Sequence, residues 1–66
     1  MVFQGNLNMT KVYIVRGIEN DKYFLYINEL GMGELDKTLA ERFIKKYPHV
    51  KPVRVDDAEQ WEYTNP

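Results

Sequence analysis

The residues able to do covalent or metal chemistry are few. The chain has neither serine nor cysteine, so the two commonest covalent nucleophiles are absent, and with them serine-type and thiol-type catalysis. Its one imidazole, His49, follows Pro48 without a second histidine or a thiol to complete a tetrahedral zinc site. It reads as a solvent-facing residue beyond a helix end, and no metal or cofactor is expected. Asp56 and Asp57 could suggest a hard-cation or acid/base pair. Neighbouring side chains in a turn diverge, however, and Asp56 with Glu59 has the spacing of a helix-capping pair. Gly31-Met32-Gly33 stands where phosphate loops occur, between a strand and a helix. The third glycine is missing, and Glu34 and Asp36 would repel a phosphate, so the glycines read as turn punctuation. The chain is expected not to be an enzyme.

Two constellations remain. One is basic: Lys45, Lys46, Lys51 and Arg54, with Tyr47 interleaved, carry the charge and the aromatic platform that nucleic-acid binding uses. The other is aromatic and apolar: Tyr13, Val15, Phe24, Tyr26 and Trp61 are the candidate partner-binding residues. Tyrosine and tryptophan bury large areas while keeping a polar handle, which is why they dominate protein interfaces.

Charge supports a protein partner over nucleic acid. The net charge is −1 and the pI about 5.7, giving no global attraction to polyanions or anionic membrane. Locally the charge is segregated: residues 37–54 sum to +5, whereas 17–36 and 55–66 each sum to −4. Such segregation either pairs internally or presents two patches of opposite sign, and internal pairing is the expectation.

The elements that must position these residues are legible in part. Residues 1–8 lack periodicity, and Phe3-Gln4-Gly5 resembles the scar a processing protease leaves, so they read as a flexible arm or a remnant. Residues 9–64 are expected to form one α+β domain, with a loose end at 65–66. Thr10 to Arg16 and Tyr23 to Glu29 are rich in β-branched and aromatic residues and flank turn formers, predicting an antiparallel hairpin. Asp36 and Thr38 offer helix caps, and Leu39, Ala40, Phe43, Ile44 and Tyr47 form one apolar stripe before Pro48 stops the helix. Val50 to Val55 is an edge strand, because Pro52 cannot donate to a ladder. Asp56 to Trp61 reads as a short helical turn, or Trp61 to Thr64 as a brief extended piece.

The expected architecture is therefore β-β-α-β, with one helix on one face of the sheet. Val12, Ile14, Leu25 and Ile27 should face the helix, leaving Tyr13, Val15, Phe24 and Tyr26 on the other side. Either the tail with Trp61 covers that side, or a partner protein or a second copy does, as a homodimer. The longest apolar runs are far short of the ~20 residues a membrane helix needs, and a cytoplasmic location is expected.

The order Val12-Tyr-Ile-Val-Arg16, hairpin, Leu39-Ala-Glu-Arg-Phe-Ile-Lys-Lys-Tyr-Pro48, Val53-Arg-Val55 and a terminal Trp-Glu-Tyr is similar to that of short accessory proteins of phages and prophages of Gram-positive bacteria. The resemblance covers about residues 10–63. It implies a small non-enzymatic protein that binds and in some cases inhibits a host enzyme or an anti-phage defence protein. It assigns no functional residue.

Overall fold

The computed structural model describes residues 10–65; the arm read at residues 1–8 lies outside them, as do Met9 and Pro66. Among these residues five antiparallel strands form one sheet, and one helix packs on one face. In chain order these are β1 (Thr10–Gly17), β2 (Tyr23–Ile27), β3 (Leu30–Leu35), α1 (Lys37–Lys46), β4 (Val53–Val55) and β5 (Ala58–Asn65). The strand order across the sheet is β3-β2-β1-β5-β4, which puts β1 in the middle. The α+β class, the first hairpin, the helix and the edge strand agree with the sequence reading. The sheet is larger by two strands.

The β1–β2 turn is built by short polar side chains. Asn20 Oδ1 accepts from the Lys22 amide at 3.0 Å, and Asp21 takes the left-handed conformation at φ 58°, which aspartate tolerates better than most residues. Gly17 opens the turn because a Cβ there would lie 2.5 Å from Asn20 Oδ1.

The first added strand, β3, begins where the glycines were read as a break. Asn28, at φ 55°, turns the chain in two residues, its side chain accepting from the Lys11 amide at 3.1 Å. Gly31 pairs with Tyr26 and Gly33 with Leu25, so Met32 between them is a bulge. Gly33 sits at φ +103°, a conformation open to glycine and costly for other residues. The Gly31-Met-Gly33 stretch is thus part of an edge strand and neither a phosphate loop nor a strand break.

The second, β5, runs where a helical turn or a short extended piece was expected. Asp56, at φ 53°, forms the turn of a tight β4–β5 hairpin in place of a helix cap. Positive φ is incompatible with the capping role assigned to it. The strand then pairs with β1 along its whole length, from Gly17↔Ala58 to Thr10↔Asn65.

Asp36 caps α1, its Oδ2 accepting from the amides of Thr38 at 3.1 Å and Leu39 at 3.3 Å. Lys45 and Lys46 complement the dipole in the last turn. Ala40, Phe43 and Ile44 face the sheet, and Tyr47 joins Phe43 and Tyr63 in an aromatic cluster with ring centroids 4.8–5.8 Å apart. Leu39, placed in the same stripe, is largely exposed. Among the described residues the buried core is small: Ile14, Tyr23, Ala40 and Trp61.

Candidate functional site

The two faces of the sheet follow from register. Ile14 pairs with Leu25 on one side and Trp61 on the other, and Val12 with Ile27 and Tyr63; all of these share the helix face with Tyr23. Alternation then places Tyr13, Val15, Phe24 and Tyr26 on the opposite face. No described element covers that face.

The structure extends this face beyond the residues read from the sequence. Val15 is opposite Gln60, which pairs in turn with Val53; Val55 pairs with Ala58. Val53 is 62% exposed, Val55 44% and Tyr26 38%. Over Tyr13, Val15, Ala58 and Gln60 lies a shallow depression of about 340 Å³, bounded by Tyr26 and Val55 at its margins. Ala58 and Gln60 were missed because β5 was not read as a strand, and Val53 and Val55, although read in an edge strand, because without β5 nothing fixed which face they join. Period-two alternation in Gln60-Trp-Glu-Tyr63 was the available signal.

Trp61 does not belong to this face. It is 7% exposed on the helix side, its ring centroid 6.4 Å from that of Tyr23. Its pairing with Ile14 decides this, since residues directly opposite in a ladder project to the same side. The tail therefore widens the sheet as β5, beside β1, and sends its tryptophan to the helix side.

Charges on the open face are few and lie at its margins: Lys11 and Glu62, 3.6 Å apart, with Glu34 on β3 and Glu29 at the β2–β3 turn. The centre is apolar and aromatic. Such a surface suits a protein partner better than a small charged ligand.

The expected pairing of charge segments occurs on the helix side and only in part. Arg16 Nη2 is 2.6 Å from Glu59 and Nη1 2.8 Å from Asp21, whose other oxygen takes Lys37 Nζ at 2.5 Å. These contacts join β1, the first turn, β5 and the start of α1. They favour the charged form of Arg16 further, the Glu59 hydrogen bond most. Lys37 and then Arg16 hold the Asp21 carboxyl below its usual range. A group with a depressed native pKa stabilises the fold above its unfolded pKa, ~3.9 for aspartate, and loses that contribution as pH falls through the native value. The thermal midpoint of the parent should therefore exceed that of Asp21→Asn at pH 7, and the gap should close on acidification to below pH ~4. An unchanged gap down to pH ~2 would show that Asp21 does not act through its charge.

The basic residues are all exposed and lie on three successive segments. Lys45 and Lys46 are exposed at the helix end and Lys51 in the following loop, but Arg54 Nε donates to the Asp56 carbonyl at 3.2 Å in its own hairpin. Tyr47, the aromatic platform, is half-buried against Phe43 and Tyr63, with Lys46 Nζ 5.7 Å from its ring centroid. A ring packed in this way has little face left for a base. Arg42, Lys45, Lys46 and Lys51 have no carboxylate partner among the described residues.

His49 is exposed beyond the helix, its ring 6.2 Å from Tyr47. Among the described residues no three histidine or carboxylate side chains are grouped to hold a metal ion, and no helix is long and apolar enough to cross a membrane. No family model, curated protein or solved structure matches the chain. The open face must therefore be interpreted on its own chemistry.

Proposed function

We propose that this chain is a non-enzymatic protein-binding module that engages its partner through the uncovered face of the sheet. The observation that supports this is the set Tyr13, Val15, Phe24, Tyr26, Val53 and Val55 on a face that no described element covers. Leaving such a set in water forfeits the free energy of burying it, roughly 25 cal/mol per Å² of apolar area. Covering it with a protein surface recovers that term, and the tyrosine hydroxyls can still reach polar partners at the rim. Inhibition of a host or defence protein is one use of such a face.

The test is photo-crosslinking in the cell that makes the chain. A benzoyl-phenylalanine in place of Tyr13 or Tyr26 should yield protein adducts on irradiation, and the same group in place of Arg42 on the helix should not. Equal labelling from both faces, or no adduct from either tyrosine position, would overturn the proposal.

A further inference from the structure

We infer that the chain has a second binding surface, independent of the open face: the outer side of α1 and the loop after it hold duplex DNA by its phosphates, through Arg42, Lys45, Lys46 and Lys51. The net charge of −1 is a sum over unlike sides. On the open face Lys11 stands against Glu29, Glu34 and Glu62, one base to three acids. On the helix side the acids are engaged, Asp21 and Glu59 by Arg16 and Lys37, and Asp36 as the helix cap. Residues 42–51 contain no acid at all. Arg42 lies three and four residues before Lys45 and Lys46, so the three project from one outer stripe of α1, and Lys51 follows in the loop. All four are exposed without a carboxylate partner among the described residues. Lys45 is the least free, because it shares with Glu41 the hollow beside Arg16 and Glu59. Arg54 is taken up in its own hairpin by the Asp56 carbonyl.

This surface offers charge and little else, and that selects its partner. Exposed ion pairs with the carboxylates of another protein add little, because water and salt screen them and long side chains lose freedom in forming them. A nucleic acid differs, since every phosphate neutralised releases condensed counterions, and four bases then suffice for measurable binding at low salt. An anionic membrane fits less well, because the apolar stripe of α1 is spent on the sheet and Leu39 is the exposed apolar residue left on the helix. Among nucleic acids the duplex is the better match. Single strands are held by stacking bases on aromatic rings, and Tyr47, the ring at hand, is packed against Phe43 and Tyr63. The B-form major groove, ~12 Å wide, admits a helix ~10–12 Å in diameter, whereas that of duplex RNA is too narrow. Contacts of this kind go to phosphate and carry no base readout, so binding should be indifferent to sequence.

Fluorescence anisotropy of a labelled mixed-sequence duplex DNA, titrated with the full chain from low to high salt, tests this. Three to four phosphate contacts predict a log–log salt slope of about −3 to −4, so a tenfold rise in salt should weaken binding about a thousandfold or more. Arg42→Gln and Lys46→Gln should each reduce the slope by about 1, with an unchanged far-ultraviolet spectrum. Lys22→Gln, in the β1–β2 turn, should bind as the parent does. Tyr26→Glu should also leave DNA binding intact, because Tyr26 is on the other side of the sheet. Absence of binding at low salt overturns the inference, as do Arg42→Gln and Lys46→Gln proteins that bind like the parent. Poly-glutamate competing as well as the duplex would overturn nucleic acid as the partner, and tighter binding of single-stranded DNA or duplex RNA would overturn duplex DNA. Failed crosslinking from Tyr13 and Tyr26 would sink the protein-binding reading alone.

Discussion

Replacing Trp61 by alanine is expected to cost about 3–5 kcal/mol, the range for removing a large aromatic side chain from a packed core. A chain of this length has roughly 3–10 kcal/mol of total stability, so Trp61→Ala should lower the thermal midpoint by tens of degrees or leave no cooperative transition. The basis is local. Trp61 is 7% exposed, directly opposite Ile14 in the ladder, and packs beside Tyr23, so its removal opens the centre of a core with four buried members among the described residues. Arg42→Ala is the control: Arg42 is exposed on the helix with no carboxylate partner among the described residues, and the change should stay within ~0.5 kcal/mol. Circular dichroism melting of the two variants decides the matter. A Trp61→Ala protein that melts with the parent would mean that the tryptophan is not in the core.

The second large effect is expected at Ala40, which has no exposed surface and lies between the helix and the sheet. A methyl group lets the helix approach closely, and leucine would force it outward or drive neighbours off their preferred rotamers. Overpacking of this kind costs about 1–3 kcal/mol. Because Trp61 is the chain's single tryptophan and belongs to the same cluster, its emission reports helix docking directly. Ala40→Leu should shift that emission to longer wavelength and weaken denaturant resistance, while far-ultraviolet helical signal persists. Ala40→Gly separates the two contributions: it removes volume and also lowers helix propensity by about 1 kcal/mol, with no outward push. Unchanged emission from Ala40→Leu would show that the helix has room to spare.

The pattern of agreement between sequence and structure follows the range of the interactions involved. Helix α1 was legible because its determinants are close in sequence: a cap at Asp36, apolar residues at helical spacing, and Pro48. The faces of β1 and β2 were legible for a similar reason, since alternation along a strand needs only the strand itself. Two strands were not. The glycines of β3 carry the composition of a turn, and the turn that precedes it is made by Asn28-Glu29, which lacks the asparagine–glycine pair that marks most such hairpins. In β5 the Asp56-x-x-Glu59 spacing mimics a helix start; only pairing with β1 and β4 makes it a strand.

The candidate site shows the same division. Its central members, Tyr13, Val15, Phe24 and Tyr26, are fixed by local alternation and were named from sequence. Its remaining members, Val53, Val55, Ala58 and Gln60, depend on strands that meet only in the folded sheet. The sequence by itself thus determined the helix, the first hairpin and which of its residues must share a side. Tertiary structure decided that β1 is the central strand and that Trp61 lies under the helix while Ala58 and Gln60 line the open face. The physical reason is that strand register is a non-local choice: a shift of one residue exchanges every side chain between core and solvent, and β5 is held in its register by Ile14 opposite Trp61.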